Sequence, residues 1–515
     1  MIREISEIDG QRLRADVCII GSGAAGLTLA AELLDSGQRV VVLAGGPEHI
    51  SDEAQALYAA DSIGLSMDGA ELLRFRSFGG STRRWAGQLL PFVEEDFELR
   101  EWVPHSGWPL PLATLGPYYT RATRALGVPD FPEGGRPQWP AELPSADALR
   151  GGSLEPYCSV FMRDPDMARL HGPALARSST TDVLLDASAT QLLADASGAI
   201  ERVRVGSPRG ATGFVEADTV ALCAGGLESA RILLDSEVGV GGNTLGRFFQ
   251  EHSGFAVPFS ACDTRRLSAL LGLCRWGGVS RQPYLRASPA LQRARRLPGA
   301  NASIRFIQPS ALHAGKELFR ALRDPSRRAD APRNLRLFMR QPGPAVRAAT
   351  RLLRGGSAQD ASGIPMLTLG VEQVPNPDSR VFLSDKRDSL GVRRLVVDWR
   401  VTELDTVALR TWLEILAEEL DRAGLATVDL DAAPSLKDPM ALSGTLVDAG
   451  HHMGTTRMAA DEREGVVDPD CRVFGAENLF VVSSSVFPTS GTSNPTLTII
   501  ALALRLADRL RATAS

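Results

Sequence analysis

One hexapeptide constrains this chain more than any other feature. Gly21-Ser22-Gly23-Ala24-Ala25-Gly26 stands between the apolar run Asp16–Ile20 and a stretch, Leu27 to Asp35, with apolar residues at helical spacing. Gly37 stops that helix, and Val40–Leu43 reads as a second strand parallel to the first. The pattern is G-x-G-x-x-G at a strand-to-helix turn. Gly21 permits the tight turn, Gly23 lets backbone approach a pyrophosphate, and Gly26 lets helix and strand pack closely. The helix start at Ala24 and Ala25 offers unpaired N–H groups and the positive end of its dipole to phosphates. A β-α-β unit that binds a dinucleotide is the expectation.

One part of that pattern is missing. A carboxylate about 20 residues on, at the end of the second strand, ordinarily holds the ribose. Here Leu43 runs into Ala44, Gly45, Gly46 and Pro47, with no acid before Glu48. Ala44, at the ribose end of the expected site, has no side-chain acceptor. Either Glu48 or water stands in, or binding weakens by about 1–3 kcal/mol.

Further along, Val220–Gly226 followed by Glu228 to Leu234 repeats the strand, glycine turn and helix, with Ala224, Gly225 and Gly226 expected close to the cofactor. The region Asp182 to Val215, which includes Val183, alternates short β-branched runs with turns and reads as antiparallel strands. Near the end, Asn478–Val482 is a strand and Ser483–Thr492 a polar loop containing Ser485. Pro495 then opens a helix with Leu497, Ala501, Leu504 and Leu510 on one face.

Composition narrows the class. Hydrophobic residues make up 44% and charged ones 23% of 515 residues, as in a globular protein of several domains. The apolar runs are too short to span a bilayer, and the acidic opening segment has no apolar leader core, so a cytoplasmic protein is expected. Six scattered cysteines, two of them (Cys18 and Cys223) inside strand-like runs, suggest neither a disulfide framework nor a metal site. The formal charge, 56 − 61 = −5, makes no case for nucleic acid. Arg293–Arg354 stands apart, with 15 basic residues against three acids, a local +12. It reads as a solvated Arg-rich insertion or as a peripheral contact for an acidic partner or membrane surface.

Four segments taken together carry a resemblance. The opening unit, Phe78-Gly79-Gly80-Ser81-Thr82-Arg83-Arg84-Trp85, His451-His452-Met453-Gly454-Thr455-Thr456-Arg457-Met458 and Thr492-Ser493-Asn494-Pro495-Thr496 resemble the glucose–methanol–choline (GMC) flavoprotein oxidoreductases. The resemblance runs from the first strand to the last helix and is weakest from about Phe255 to Ile364. Glu372–Arg380 and Asp398–Arg400 look most like the branch of bacterial sugar dehydrogenases and pyranose oxidase.

The resemblance implies FAD and oxidation of a CH–OH group of a sugar-like or polyhydroxylated substrate. The acceptor of the electrons (oxygen, a quinone or a carrier protein) stays open. His451 falls on the family's base and Asn494 on its partner, with His452 a secondary candidate. A neutral imidazole near pH 7 suits the abstraction of a hydroxyl proton. Asn494 alone would read as a helix N-cap. Gly79, Gly80 and Ser81 fall on the segment that runs over the flavin, Val183 and Ser485 are expected to bind the cofactor, and Pro495 and Thr496 start a helix that favours charge on it. Arg84 occupies the position of the histidine to which some members attach flavin, which implies non-covalent FAD. His252, in Phe248–His252, also matches a family segment and reads as structural.

The expected fold is α/β, or α+β overall: a Rossmann-like FAD-binding domain (1–100, 178–255 and 441–515) interleaved with a substrate domain of antiparallel sheet and helices (101–177 and 256–440). A non-redox lyase or isomerase on the same scaffold, or an inactive binding protein, are the alternatives.

Overall fold

The structure, a computed structural model, describes residues 1–515 apart from 68, 133–137, 141–145, 150–152, 240–242, 429, 431–445, 447 and 515, and all but a few positions of 308–330 and 341–363. The opening unit forms where the spacing places it: strand Arg12–Ile20, helix Ala24–Glu32 and strand Val40–Leu43. The strands run parallel, Val17 opposite Val40 and Ile20 opposite Leu43. The helix begins ahead of Leu27 because Gly23, in extended backbone, serves as its N-cap.

These elements enter an eight-stranded sheet in the order Ile2–Glu4, Thr181–Leu185, Val40–Leu43, Arg12–Ile20, Thr212–Leu222, Ile200–Gly206, Ser188–Ala194, with Leu479–Val481 beside the far half of Thr212–Leu222. The antiparallel reading of Asp182–Val215 holds for the meander but not for its first strand. Thr181–Leu185 pairs in parallel with both Ile2–Glu4 and Val40–Leu43. Its Val183 and Leu184 are fully buried, as in a strand covered on both faces. Val17, Ile19, Val42 and Leu222 are buried in the same way.

A second sheet of seven strands is antiparallel throughout. Its order is Ser253–Pro258, Ile364–Val371, Ala300–Ile307, Val279–Ala287, Leu154–Phe161 and Gln88–Leu89, with Cys274–Trp276 against Val279–Ala287. Helix Glu403–Arg422 covers it, sharing a core in which Leu409, Trp412 and Leu416 join Ile304, Leu367 and Leu369. Thr402 and Asp405 start that helix reciprocally: Thr402 Oγ1 accepts from the Asp405 N–H at 3.3 Å, and Asp405 Oδ2 from the Thr402 N–H at 2.6 Å.

Segments contiguous in sequence divide between the two sheets. Gln88–Leu89 and the start of Ser253–Pro258 lie in the antiparallel one. Helices Leu112–Ala125 and Met167–Arg177 instead join the core of the parallel one, against Ala24–Glu32 and the C-terminal helix Thr496–Ala514. Tyr119 and Thr498 hydroxyls meet there at 2.8 Å. A smaller sheet, Arg380–Arg387, Arg393–Trp399 and Ala60–Gly64, packs on helix Gly225–Ser236.

Among the described residues no helix is long and apolar enough to cross a membrane. Much of the basic stretch Arg293–Arg354 lies outside the described residues. Its described helix Ala331–Arg340 buries none of its residues.

Candidate active site

A cavity of about 560 Å³ opens between the parallel sheet and the antiparallel one, and both ends of the chain line it. Gly21, Gly23, Ala24 and Ala25 form one wall, Ala224, Gly225 and Gly226 the next, and Pro495 and Thr496 a third. Gly80, Ser81 and Arg84 line it too, as do His451, His452 and Asn494. Arg305 and Gln88 reach it from the antiparallel sheet.

The glycine turn is shaped to receive a ligand. A side chain on Gly21, at φ 111°, would strike the Cys223 carbonyl oxygen at 2.4 Å, so strand ends and turn are in contact. A Cβ on Gly23 or Gly225 would meet nothing within 4 Å, so each points into open space. The Gly80 loop lies over that turn, its missing Cβ 3.1 Å from Gly23 Cα. Helices Ala24–Glu32 and Gly225–Ser236 both start here without a side-chain cap. Their first N–H groups therefore face the cavity in want of an acceptor, which a pyrophosphate supplies.

Several residues expected at the cofactor sit in the layer behind this lining. Gly26 packs against the turn itself, where a Cβ would come within 1.9 Å of the Gly21 carbonyl oxygen. Ala44 is fully buried, its N–H bonded to the Leu184 carbonyl at 2.9 Å. Val183 is sealed in the sheet. Gly79, at φ 95°, turns the chain ahead of Gly80. The Ser485 hydroxyl is taken up by Thr456 and Ser483, both at 2.6 Å.

The acid that lines the cavity stands elsewhere in the sequence than the ribose pattern places it. Glu48 is exposed and outside the cavity lining. Glu228, on helix Gly225–Ser236, lines the cavity instead and is 5% exposed. Arg76 joins it to the end of the second strand, donating to the Gly45 carbonyl at 2.9 Å and to Ser188 Oγ at 3.0 Å while lying 3.5 Å from Glu228 Oε2. Arg74 and Arg231 approach the same carboxylate at 3.1 and 3.2 Å. Burial alone would raise the Glu228 carboxyl, yet Arg231, Arg74 and Arg76 together bring it down to about 2.

The His451 segment is clamped by backbone. Gln250 and Met453 exchange N–H···O bonds of 3.0 and 2.9 Å. Gly454, at φ 84°, lies so close to the Phe248 carbonyl oxygen that a Cβ would come within 2.0 Å of it. Thr455 Oγ1 donates to the Gly226 carbonyl at 2.5 Å. The glycine and threonine of H-x-x-G-T thus fix the distance between His451 and the second glycine turn. The Asn494 loop is held from the other sheet: Asn301 Nδ2 donates to the Thr492 carbonyl at 2.6 Å, and Ser493 Oγ to that of Pro91 at 2.8 Å.

Asn494 is not spent as a cap. The last helix starts at Thr496, and the Pro495 carbonyl accepts from the Ile499 N–H at 3.0 Å, so Pro495 stands one position outside the helix it was expected to open. Among the described residues the Asn494 side chain makes no hydrogen bond with protein, and it faces the cavity. His451 is partly buried, and burial holds its imidazole well below the usual range, with His252 and His452 adding to the effect. His452 is more deeply set, stacked 6.1 Å from the Phe249 ring, and burial, then Arg74, lowers it to about 3. Both imidazoles are neutral at pH 7.

A family model of FAD binding domains matches residues 16–102, and one of GMC oxidoreductases matches residues 375–503. The chain belongs to the GMC oxidoreductases. The first match spans the glycine turn and the Gly80 loop, and the second ends beyond Asn494. This GMC oxidoreductase is 28% identical to 6'''-hydroxyparomomycin C oxidase of Streptomyces lividus over 95% of its own length and 90% of that protein. It is 26% identical to paromamine 6'-oxidase of Streptomyces fradiae over 96% and 90%. A C-glycoside 3-oxidase of Arthrobacter globiformis is 32% identical over 30% of this chain and 29% of its own. Among solved structures, pyridoxine 4-oxidase from Mesorbium loti shares the fold, with a TM-score of 0.59 and 20% identity over 96% of this chain and 98% of its own. This GMC oxidoreductase is an FAD-dependent enzyme.

Beneath the histidines lies Glu251, fully buried. Its Oε1 accepts the backbone N–H groups of both His252 and His451 at 2.8 Å. Its Oε2 and His452 Nε2, 3.8 Å apart, have no hydrogen-bond partner among the described residues. Burial, which outweighs the backbone donors, raises the carboxyl from 4.5 to about 8. A carboxyl raised in the fold contributes stability that is fully present below pH 4.5 and is lost as pH climbs through about 8. Glu251→Gln keeps the acceptor for both N–H groups and turns an amide donor toward His452. Urea unfolding is expected to show the variant gaining on the parent from pH 4.5 upward, by on the order of 2 kcal/mol at pH 8.

Proposed function

We propose that this GMC oxidoreductase oxidises a CH–OH group of a sugar-like or polyhydroxylated molecule, with His451 as base and Asn494 holding the reacting oxygen. The observation that carries this reading is the convergence of His451, His452 and Asn494 on the cavity that the dinucleotide turn also lines. FAD, when bound, supplies a two-electron acceptor for the hydride at its N5. Gly21, Gly23, Ala24, Ala25, Gly225 and Thr496 hold the cofactor through backbone donors and helix ends. Arg84 lies where a covalent link would require histidine, so the flavin is dissociable.

His451 takes the hydroxyl proton as the substrate C–H bond gives up its electron pair and the C–O bond becomes a carbonyl. Asn494 donates to the oxygen without competing for the proton. Relatives named for oxidation of paromamine, of 6'''-hydroxyparomomycin C and of C-glycosides support a polyhydroxylated substrate class. The parallel sheet then serves the cofactor, and the antiparallel sheet, with Arg305 and Gln88 at the cavity, serves the substrate. Six unpaired cysteines suit a reducing cytoplasm. The exposed Leu335 and Met339 on the Arg-bearing helix Ala331–Arg340 suit a peripheral contact with an acidic surface.

Anaerobic mixing with a panel of sugars, glycosides, aminoglycosides and secondary alcohols tests the reading. At least one class is expected to bleach the flavin absorbance, and oxygen, a quinone or a carrier protein to restore it. Conversion of a substrate while the flavin stays oxidised throughout would overturn hydride transfer.

A further inference from the structure

The geometry points to His252 as a positioning residue that fixes which nitrogen of His451 is free to accept a proton. The inference rests on the reading of His451 as base and follows from counting hydrogens. His252 Nε2 lies 3.0 Å from the Ser490 carbonyl oxygen. A carbonyl can only accept, so the hydrogen sits on His252 Nε2. The other nitrogen of the same ring, Nδ1, lies 2.9 Å from Nδ1 of His451. In a neutral ring that already carries its hydrogen on Nε2, Nδ1 offers a lone pair. His451 must therefore donate its Nδ1–H, which leaves His451 Nε2 unprotonated. Among the described residues no protein group bonds to that Nε2, and His451 lines the cavity that Asn494 also lines.

The surroundings keep this arrangement from reversing. Gln250 Oε1 accepts from the Ser490 N–H at 2.9 Å and holds the loop whose carbonyl sets the chain of bonds. The two imidazole rings stand edge to face at 89°, with centroids 5.0 Å apart. Glu251 Oε1 fixes the backbone of both residues at 2.8 Å. Burial disfavours a cationic His252. The reaction proton is thus taken at His451 Nε2, and the resulting imidazolium keeps its Nδ1–H pointed at the His252 lone pair. No bond other than the substrate O–H has to break for that transfer.

His252→Leu removes the acceptor, and His252→Asn replaces Nδ1 by a carboxamide oxygen at a similar reach. In the FAD-loaded enzyme, with the panel substrate that bleaches flavin fastest, H252L is expected to lower kcat by about 10- to 100-fold, as loss of an imidazole's orienting partner does. KM is expected to change little. The acid limb of the kcat–pH profile moves to lower pH, because the lone pair of a neutral His252 favours the imidazolium; the opposing push of His252 on His451 needs a cationic His252, which burial disfavours. H252N is expected to recover most of the rate and to restore the limb.

The charged and titratable groups facing the pair are Glu251, Glu372 with its partner Arg100, and His452 with Arg74. All are present in both variants, so the difference between variants reports the Nδ1···Nδ1 bond. Parental turnover and an unmoved limb in H252L, while H451A is inactive, would overturn the assignment of His252 alone. Parental turnover in H451A would instead overturn the reading of the base. Should H252L fail to fold, H252N decides: a parental limb supports the inference, and a displaced limb with reduced kcat overturns it.

Discussion

Replacing His451 with alanine is expected to cut the rate of anaerobic flavin reduction by about 10²- to 10⁴-fold, the range over which a positioned base accelerates proton transfer. The FAD content of the purified variant should match that of the parent. The His451 backbone N–H still reaches Glu251 Oε1 at 2.8 Å, and Gly454 and Thr455 still hold the segment on Phe248 and Gly226. The loss would therefore report the imidazole rather than a collapsed site. Asn494→Ala should lower the same rate less, by about 10- to 100-fold, since an amide donor only orients and stabilises the oxygen. On the proposed mechanism the two groups act on one oxygen, so the double variant should fall short of the product of the single losses. A full rate in either single variant would remove that residue from the chemistry.

Glu372→Ala is expected to destabilise the fold by about 3–5 kcal/mol, the usual cost of leaving a buried charge without its partner. Arg100 and Glu372 are 3% and 0% exposed. They meet as a fork, Nη1 to Oε2 at 2.7 Å and Nη2 to Oε1 at 2.5 Å. Glu372 Oε2 also accepts the Gly299 N–H at 2.9 Å, so truncation strands a backbone donor as well. Burial would lower the guanidinium, but Glu372 outweighs it and holds Arg100 protonated. Urea unfolding should show the deficit, with little dependence on salt because the pair is shielded from mobile ions. The combined Arg100→Met and Glu372→Leu variant should recover most of the loss, since apolar groups carry no desolvation cost. A deficit below about 1 kcal/mol in Glu372→Ala would mean that water reaches the pair after substitution.

Much of the cofactor wall was legible because its signals are local. A glycine that must turn tightly or admit a phosphate stands beside the strand and helix it joins, so Gly21, Gly23 and Gly225 could be read from their neighbours. The H-x-x-G-T motif was legible as a pattern. Its physical reason was not, because the groups that forbid a side chain at Gly454 and receive the Thr455 hydroxyl are Phe248 and Gly226, roughly two hundred positions away. Glu228 escaped notice for a related reason. The ribose carboxylate is expected at the end of the second strand, whereas the acid that lines the cavity comes from a helix and is linked to Gly45 through Arg76. The parallel pairing of the first strand in Asp182–Val215 is not legible in the sequence, because a short apolar run does not say which way its neighbours point.

The order of residues by itself determined that this chain would open on a β-α-β unit with a glycine turn of the dinucleotide type, which needs only the stereochemistry of adjacent residues. The pairing of His451 with Asn494 was implied by the resemblance to the GMC oxidoreductases. Only the tertiary structure decided that His451 and Asn494 share a cavity with Gly23, that Arg76 ties Glu228 to Gly45 beyond the second strand, and that Ser490 orients His252 against His451. Each of those outcomes depends on the distance and direction of a hydrogen bond or ion pair between remote segments. Such geometry comes into being only when the sheets pack.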